Sequence, residues 1–111
     1  MAIPKWSMKE GDTRPILAAT LLAGGDIVDL TSADTVKFTM TDESGSVVID
    51  LAACAIVAPA TNGQVTYVWG ADDTATPGLY QGEFKVTWGD STVERFPNKT
   101  NFQVQILANL A

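Results

Sequence analysis

The segment YQGEFKVTW, residues 80–88, alternates between two kinds of side chain. Tyr80, Gly82, Phe84, Val86 and Trp88 fall on one side of an extended chain, and the polar or charged residues between them fall on the other. Because successive side chains of a β-strand point to opposite faces of its sheet, this period of two predicts a long strand that is buried on one side only.

A turn with restricted backbone freedom precedes this strand. Pro77 fixes one torsion angle and Gly78 permits an unusual one, so the turn is expected to be rigid before Tyr80 enters the strand. In immunoglobulin-like sandwiches a tyrosine at this place donates its hydroxyl to the backbone of the preceding turn. We therefore interpret Pro77, Gly78 and Tyr80 as a structural corner. A catalytic or ligand-binding phenol is the alternative, which the inward side of the alternation disfavours.

The same alternation recurs along the chain between turn-forming residues. Its clearest examples are VKFTMT (36–41), VTYVW (65–69) and FQVQI (102–106), and turns are indicated by Gly24-Gly25, DESG (42–45), Asn62-Gly63 and Gly89-Asp90. This spacing predicts an all-β fold, an immunoglobulin-like antiparallel β-sandwich of about eight to ten short strands. Helix is expected only as a single turn, at residues 32–36 or 71–75.

The length and composition narrow the class of protein. A chain of 111 residues with 46% hydrophobic residues fits one globular domain. We expect one sandwich over residues 1–111, with residues 1–10 as an N-terminal arm or first strand and residues 108–111 as an apolar C-terminal tail. The chain has no histidine and one cysteine, Cys54, which excludes an internal disulfide, a catalytic histidine and imidazole metal ligands. We therefore predict that the protein is not an enzyme and takes no cofactor.

The charge is distributed unevenly. Seven basic and thirteen acidic residues give a net charge of −6, and residues 16–84 contain one base, Lys37, against nine acids. We interpret the acidic middle as a solubilising surface that repels phosphate backbones, so no nucleic-acid partner is expected. The alternative is that the more basic ends contact an acidic partner. The sequence shows neither a membrane-spanning apolar run nor a secretory signal, so we expect no membrane partner and synthesis in a cytoplasm.

Several short motifs occur in a distinctive order. They are GDTRPI (11–16), IVDLT (27–31), VKFTM (36–40), GQVTYVW (63–69), TPGLYQGEF (76–84), RFPN (95–98) and FQVQI (102–106). Together they resemble the immunoglobulin-like N-terminal domain of the upper baseplate protein of tailed phages, and related domains encoded in phages and prophages. The likeness covers residues 11–107, nearly the whole chain.

The resemblance implies a structural module of a virion, without known chemistry and with other virion proteins as partners. In the baseplate protein this domain is followed by further domains, whereas this sequence stops just past the last predicted strand. A tail or baseplate protein, a neck protein, a head fibre and a capsid-decoration protein are therefore all compatible with the resemblance. No binding residues of the family carry over to this sequence.

A few isolated features suggest other chemistry. Cys54 is expected to be a buried, inert thiol, because no neighbouring base would stabilise a thiolate. Asp72-Asp73, or Asp26 with Asp29, could bind calcium, but neither matches a calcium-loop pattern and such residues commonly cap turns. No two acids stand out as a glycosidase pair. The glycosylation-like Asn98-Lys99-Thr100 is expected to be a turn.

The ends of the chain are the predicted contact surface. Trp6 either packs in a first strand or anchors a neighbouring subunit, since tryptophan is frequent at interface hot spots. The tail ILANLA (106–111) is apolar where chain ends are usually polar. Trp69 and Trp88, in contrast, are expected to close one end of the core. The candidate interface consists of Trp6, Met8, Leu107 and Leu110.

Three functional hypotheses follow. The first is a non-enzymatic virion protein, present as a homo-oligomer or as repeated copies on a particle and acting by protein–protein assembly. The alternative is a carbohydrate-binding or adhesin-type module, which requires Tyr67, Trp69 and Trp88 to point outward. The weakest is a carboxylate hydrolase, which requires two acids with raised pKa values in one cleft.

Overall fold

The computed structural model describes residues 5–97 and 102–110. The strands are β1 (Lys5–Lys9), β2 (Leu17–Thr20), β3 (Leu22–Ala23), β4 (Asp26–Ile27), β5 (Ala33–Thr41), β6 (Val47–Ala53), β7 (Ala55–Ile56), β8 (Gln64–Tyr67), β9 (Gly78–Trp88), β10 (Val93–Phe96) and β11 (Phe102–Leu107). One 3₁₀ turn, Ala60–Asn62, completes the secondary structure of these residues. Three strands have only two residues each, which is why the total of eleven exceeds the eight to ten expected.

Two main sheets form the sandwich. The larger has six strands in the order β1-β11-β9-β5-β6, with β10 also paired to β9, and the smaller has three in the order β2-β8-β7. In immunoglobulin folds strands C, F and G share one sheet and B, E and D share the other. Here β5, β9 and β11 occupy the first set of places and β2, β8 and β7 the second. The fold is an immunoglobulin-like β-sandwich, as the sequence predicts.

One strand pair departs from the expected antiparallel arrangement. β1 runs parallel to β11, with Trp6 opposite Val104 and Met8 opposite Ile106, whereas all other pairs among the described strands are antiparallel. The N-terminal segment therefore forms a first strand from Lys5 to Lys9. Both ends of the described chain lie along the same sheet edge.

The core lies between the two sheets and follows the predicted alternation. Phe38, Phe84 and Phe102 stack with ring centroids 5.2–5.8 Å apart, on three neighbouring strands of the six-stranded sheet. Gly82 leaves room for them, because a Cβ there would lie 2.8 Å from ring atoms of Phe38 and Phe102. Tyr67 packs from the smaller sheet, with its ring centroid 5.1 Å from that of Phe38. The small residue in the long strand is thus a packing requirement.

The predicted turns lie between strands, while the predicted helical turns are absent. Gly45 has φ +89°, and Asp42 accepts hydrogen bonds from the backbone N–H groups of Ser44 and Ser46 at 3.0 Å each. Residues 33–36 belong to β5 and residues 71–74 form non-helical turns, so both helical expectations were wrong. The helical turn at Ala60–Asn62 ends at Gly63, whose φ is +64°.

The corner at Tyr80 ties the long strand to its preceding loop. The Tyr80 hydroxyl donates a 2.6 Å hydrogen bond to the carbonyl of Thr76, which is the contact expected of this tyrosine. Nearby, the hydroxyl of buried Thr74 donates to the Asp12 carbonyl at 2.8 Å. The first bond joins the turn of residues 70–77 to β9, and the second joins it to the segment after β1. Within the described part of the chain, no helix has the length and apolarity needed to cross a bilayer.

Candidate functional site

The side chains that could act as nucleophiles, acids or metal ligands are engaged in structural contacts. The Cys54 thiol is half-buried and burial raises its pKa to about 12, only partly offset by the positive charge of Lys37. A thiol with so high a pKa is almost entirely protonated at neutral pH and is a poor nucleophile. The expectation of an inert cysteine is confirmed.

The two tyrosines are likewise held as hydrogen-bond donors. Burial raises the pKa of Tyr67, and its hydroxyl donates to the Asp73 carboxylate, which also accepts the Gly70 N–H at 2.6 Å. Burial raises the pKa of Tyr80 too, with a smaller contribution from the negative charge of Asp42. Both phenols therefore keep their protons at neutral pH and act as structural links.

The acids considered as calcium ligands either accept hydrogen bonds from backbone N–H groups or lie in a separate hairpin. Asp29 accepts hydrogen bonds from the hydroxyl and the N–H of Thr31, which lower its pKa. Asp73 caps the turn after β8, and Asp26 lies in the β3–β4 hairpin. Among the described residues, no three histidine, cysteine or acidic side chains come together as a metal site. Asn98-Lys99-Thr100 lies outside the described residues.

The four predicted interface residues do not form one surface. Met8 is buried in the core, and Trp6 is half-buried on the same inward side of β1. Leu107 is partly exposed on the opposite side and Leu110 is fully exposed. The pairing of β1 with β11 turns Trp6 and Met8 toward the core, so Met8 is not available for contact with a partner. Of the two roles considered for Trp6, packing in a first strand is the one observed.

The tryptophans on the strands also point inward. Trp69 is 3% exposed and packs edge-on against Tyr67 and Phe38, and Trp88 is partly buried against the core. The inward placement predicted for both is confirmed. They do not close one end of the core together, because Trp69 precedes the turn that leads into the start of β9, whereas Trp88 is the last residue of β9. A carbohydrate-binding platform built from Tyr67, Trp69 and Trp88 therefore does not exist on this surface.

The most distinctive surface is the outer side of the three-stranded sheet. We define the small-sheet face as the outward residues of β2, β7 and β8. It also includes the residues directly before or after these strands that continue the same alternation. None carries a charge, although the chain has 20 charged side chains. They are Ile16, Ala18, Thr20, Ala55, Val57, Gln64, Thr66 and Val68.

The small-sheet face is exposed and slightly concave. Val68 is 67% exposed and Ile16 is 39% exposed, at one end of the two adjacent strands β8 and β2. Between β2 and β7, a depression of about 200 Å³ is lined by small and uncharged residues that include Ala18, Thr20 and Thr66. An exposed, uncharged and gently concave sheet surface is suited to contact with another protein.

Sequence reasoning did not single out this surface. Its signal is present in ILAAT (16–20) and QVTYV (64–68), where the outward residues between the core positions are alanine, threonine, glutamine, isoleucine or valine rather than charged residues. Recognising it as one face required knowing that β2 and β8 are neighbours, with Ala18 opposite Thr66.

The comparisons with known proteins identify a similar fold and no family. No protein-family model matches the chain, and no curated protein matches it. A similar solved structure is CopC from Methylosinus trichosporium OB3b, at a TM-score of 0.57 and 12% sequence identity, covering 96% of this chain and 89% of that one. This likeness shows the fold alone.

The fold is a shared β-sandwich. CopC is a sandwich as well, so the likeness agrees with the sheet order described above. At 12% identity it says nothing about which residues of this chain bind a ligand.

Proposed function

We propose that this chain is a non-enzymatic structural component of a phage virion, which docks on neighbouring virion proteins through the small-sheet face. The observation that carries the proposal is the absence of charge from all eight outward positions of that face. Removing charged groups from water is costly, so interface centres are depleted of them. A surface without charge avoids this cost when a partner covers it.

The β-rich core suits such a passive role. The tyrosine hydroxyls, the thiol and most acids with shifted pKa values serve the fold through hydrogen bonds or burial. The sandwich is also elongated, at 46 × 25 × 23 Å, so one face can dock while the remaining surface stays exposed. Repeated copies on a particle would multiply a modest contact into stable attachment.

The virion setting is supported by the order of the sequence motifs from Gly11 to Ile106, which resembles domains of tailed-phage structural proteins. The acidic middle of the chain fits a module exposed on a particle, where it would keep the assembly soluble. The position on the particle is part of the proposal: tail or baseplate, neck, head fibre and capsid decoration each present a repeated protein surface on which this face could dock.

Immunogold electron microscopy tests the setting. Particles produced from the genome that encodes the chain are labelled with an antibody against it, and particles from the same genome with this gene deleted are the control. Gold at one repeated position on the tail, neck or head supports the proposal and identifies the location. Particles that carry no more label than the deletion control would contradict it.

A further inference from the structure

The outer side of the six-stranded sheet has the opposite character to the small-sheet face. Its outward positions on β1, β5, β9, β10 and β11 carry five basic residues and the acid Glu83, in a chain whose net charge is −6. A further exposed acid, Asp34, lies at the irregularity near the start of β5. Asp50 lies on the adjoining edge strand β6. The five bases are Lys5, Lys9, Lys37, Lys85 and Arg95.

Three of these bases form a row across neighbouring strands. Lys85 on β9 lies directly opposite Lys37 on β5 and directly opposite Arg95 on β10. We call these three residues the cation row. Adjacent strands lie about 4.8 Å apart, so the row spans about 10 Å. Like charges placed directly opposite each other destabilise a sheet, so the arrangement costs the isolated fold some stability.

The row is only partly neutralised within the molecule. Glu83 approaches the Arg95 guanidinium at 3.3 Å from the neighbouring outward position of β9. Among the described residues, no carboxylate forms an ion pair with Lys37 or Lys85. A surface with this surplus of positive charge is complementary to a compact group of carboxylates brought by a partner.

Such a group of carboxylates exists at one end of the same molecule. The Thr74 carbonyl accepts the Gly11 N–H, Asp73 accepts the Tyr67 hydroxyl, and Asp42 lies close enough to Tyr80 to raise its pKa. These contacts bring three loops together at one end of the sandwich, which we call the acidic end. Its acids are Glu10, Asp12, Asp42, Glu43, Asp72 and Asp73, and Arg14 is the basic residue of the same loops.

We propose that the acidic end of one copy docks on the cation row of the next. The two surfaces are different parts of one chain, so the contact is head-to-face and leaves a free acidic end at one terminus of the assembly and a free cation row at the other. It can therefore repeat into a ring or a row of copies. The contact uses a different surface from the small-sheet face, so it can be tested independently of the proposed function.

The chemistry of the row favours a protein carboxylate over a nucleic acid. The outward positions around it hold threonine and glutamine, such as Thr39, Thr87 and Gln103, and no aromatic ring on which a base could stack. The remaining surface is strongly acidic and repels an extended phosphate backbone. A short acidic turn meets the row without bringing further negative charge over the rest of the molecule.

Sedimentation velocity on the full chain tests the contact. In about 0.02 M NaCl the protein should associate as its concentration rises, and in about 0.5 M NaCl it should be monomeric, because salt screens exposed charges. Lys85→Glu should weaken the association at least about tenfold. Lys5→Glu changes the net charge by the same amount outside the cation row and outside the acidic end, and this matched control should lose much less association than Lys85→Glu.

A charge-swap experiment identifies the partner surface. Glu43→Lys/Asp72→Lys alters two exposed acids of the acidic end for which no side-chain hydrogen bond is observed, and this variant should also fail to associate. An equimolar mixture of this variant with Lys85→Glu should form heterodimers again, because the unaltered acidic end of the Lys85→Glu copy meets the unaltered cation row of the other copy. Thermal melts followed by circular dichroism confirm that each variant is folded.

Three outcomes would overturn the inference. The first is a monomer at low salt at every concentration. The second is an equal loss of association in Lys5→Glu, which would trace the effect to net charge. The third is double-stranded DNA, added as a probe at low salt, binding to the wild type and not to Lys85→Glu, which would make the row a nucleic-acid surface.

Discussion

The two outer faces of this sandwich are built on one core but differ sharply in charge. The small-sheet face carries none, with Thr66 flanked by Ala18 and Ala55, while the six-stranded sheet sets Lys85 between two other cations. Both faces are made by the same alternation of inward apolar and outward residues. The inward residues therefore produce a sandwich with two outer faces. The outward residues determine which partner surface each face can contact.

This separation has a testable consequence. Changes beneath the faces should lower the free energy of unfolding, whereas changes on the faces should alter contacts and leave the fold intact.

The largest effect is expected beneath the six-stranded sheet. A methyl group at Gly82 would lie 2.8 Å from rings of Phe38 and Phe102, so Gly82→Ala should destabilise the protein by about 2–3 kcal/mol through overpacking. Gly89→Ala is the control, since Gly89 is exposed and its Cβ would lie 3.3 Å from one carbonyl oxygen. Urea denaturation measures both. Equal stability of the two variants would show that the aromatic stack is looser than described.

Removing the two tyrosine hydroxyl groups at the acidic end should lower the free energy of unfolding by intermediate and unequal amounts. Tyr67→Phe removes a hydrogen bond to a carboxylate from a side chain that is 7% exposed, and should cost about 2 kcal/mol. Tyr80→Phe removes a bond to a neutral carbonyl and should cost about 1 kcal/mol. Denaturation of the two variants in parallel checks the order. A larger loss in Tyr80→Phe would contradict this account of the two tyrosines.

A substitution in the cation row should increase stability. Lys85→Thr removes the central charge of three, so it should stabilise the fold by about 0.5 kcal/mol at low salt, with a smaller gain at high salt. Lys5→Thr is the matched control, because Lys5 lies opposite uncharged Gln103. Thermal melts at two salt concentrations measure the effect. A loss of stability in Lys85→Thr would mean that the row does not strain the sheet.

The smallest effect is expected at the exposed turns. A hydrogen bond from the Ser44 hydroxyl, and to a smaller extent one from the Ser46 N–H, lowers the pKa of Asp42 below its usual 3.8. A carboxyl group whose pKa is lower in the folded state stabilises the fold above the unfolded pKa and loses this effect as the pH falls through the folded value. Stability should therefore fall below about pH 4. In Asp42→Asn the fall should be shallower in urea titrations from pH 2 to pH 7, and an unchanged slope would argue against this role.

The sequence predicts the parts of this structure that depend on local alternation. The inward placement of Phe84 and Trp69 and the hydroxyl bond of Tyr80 follow from strand period and turn chemistry alone. The environment of Trp6 and Met8 could not be predicted, because it depends on parallel pairing with β11, almost the whole chain away. Two irregularities in the pairing of β5 with β6 shift the register and have no local signal.

The composition of the two outer faces could not be predicted from the sequence, for a physical reason. A single strand shows which residues point outward, but a face is formed by outward residues from strands that are neighbours in space. Lys37 and Lys85 are 48 positions apart in the sequence and become adjacent only through the register of β5 and β9. The acidic end likewise combines Glu10 and Asp12 with acids from the middle of the chain, and it becomes one surface only when the three loops are placed.

The most direct test of the central claim is the number of copies incorporated per particle by two matched variants, measured by quantitative mass spectrometry. Thr66→Lys places a charge at the centre of the small-sheet face, and Thr87→Lys places the same charge at an outward position of the central strand of the other sheet. Both should fold like the wild type. We expect particles to exclude Thr66→Lys and to incorporate Thr87→Lys. Equal incorporation of the two, or exclusion of Thr87→Lys alone, would contradict docking through the small-sheet face.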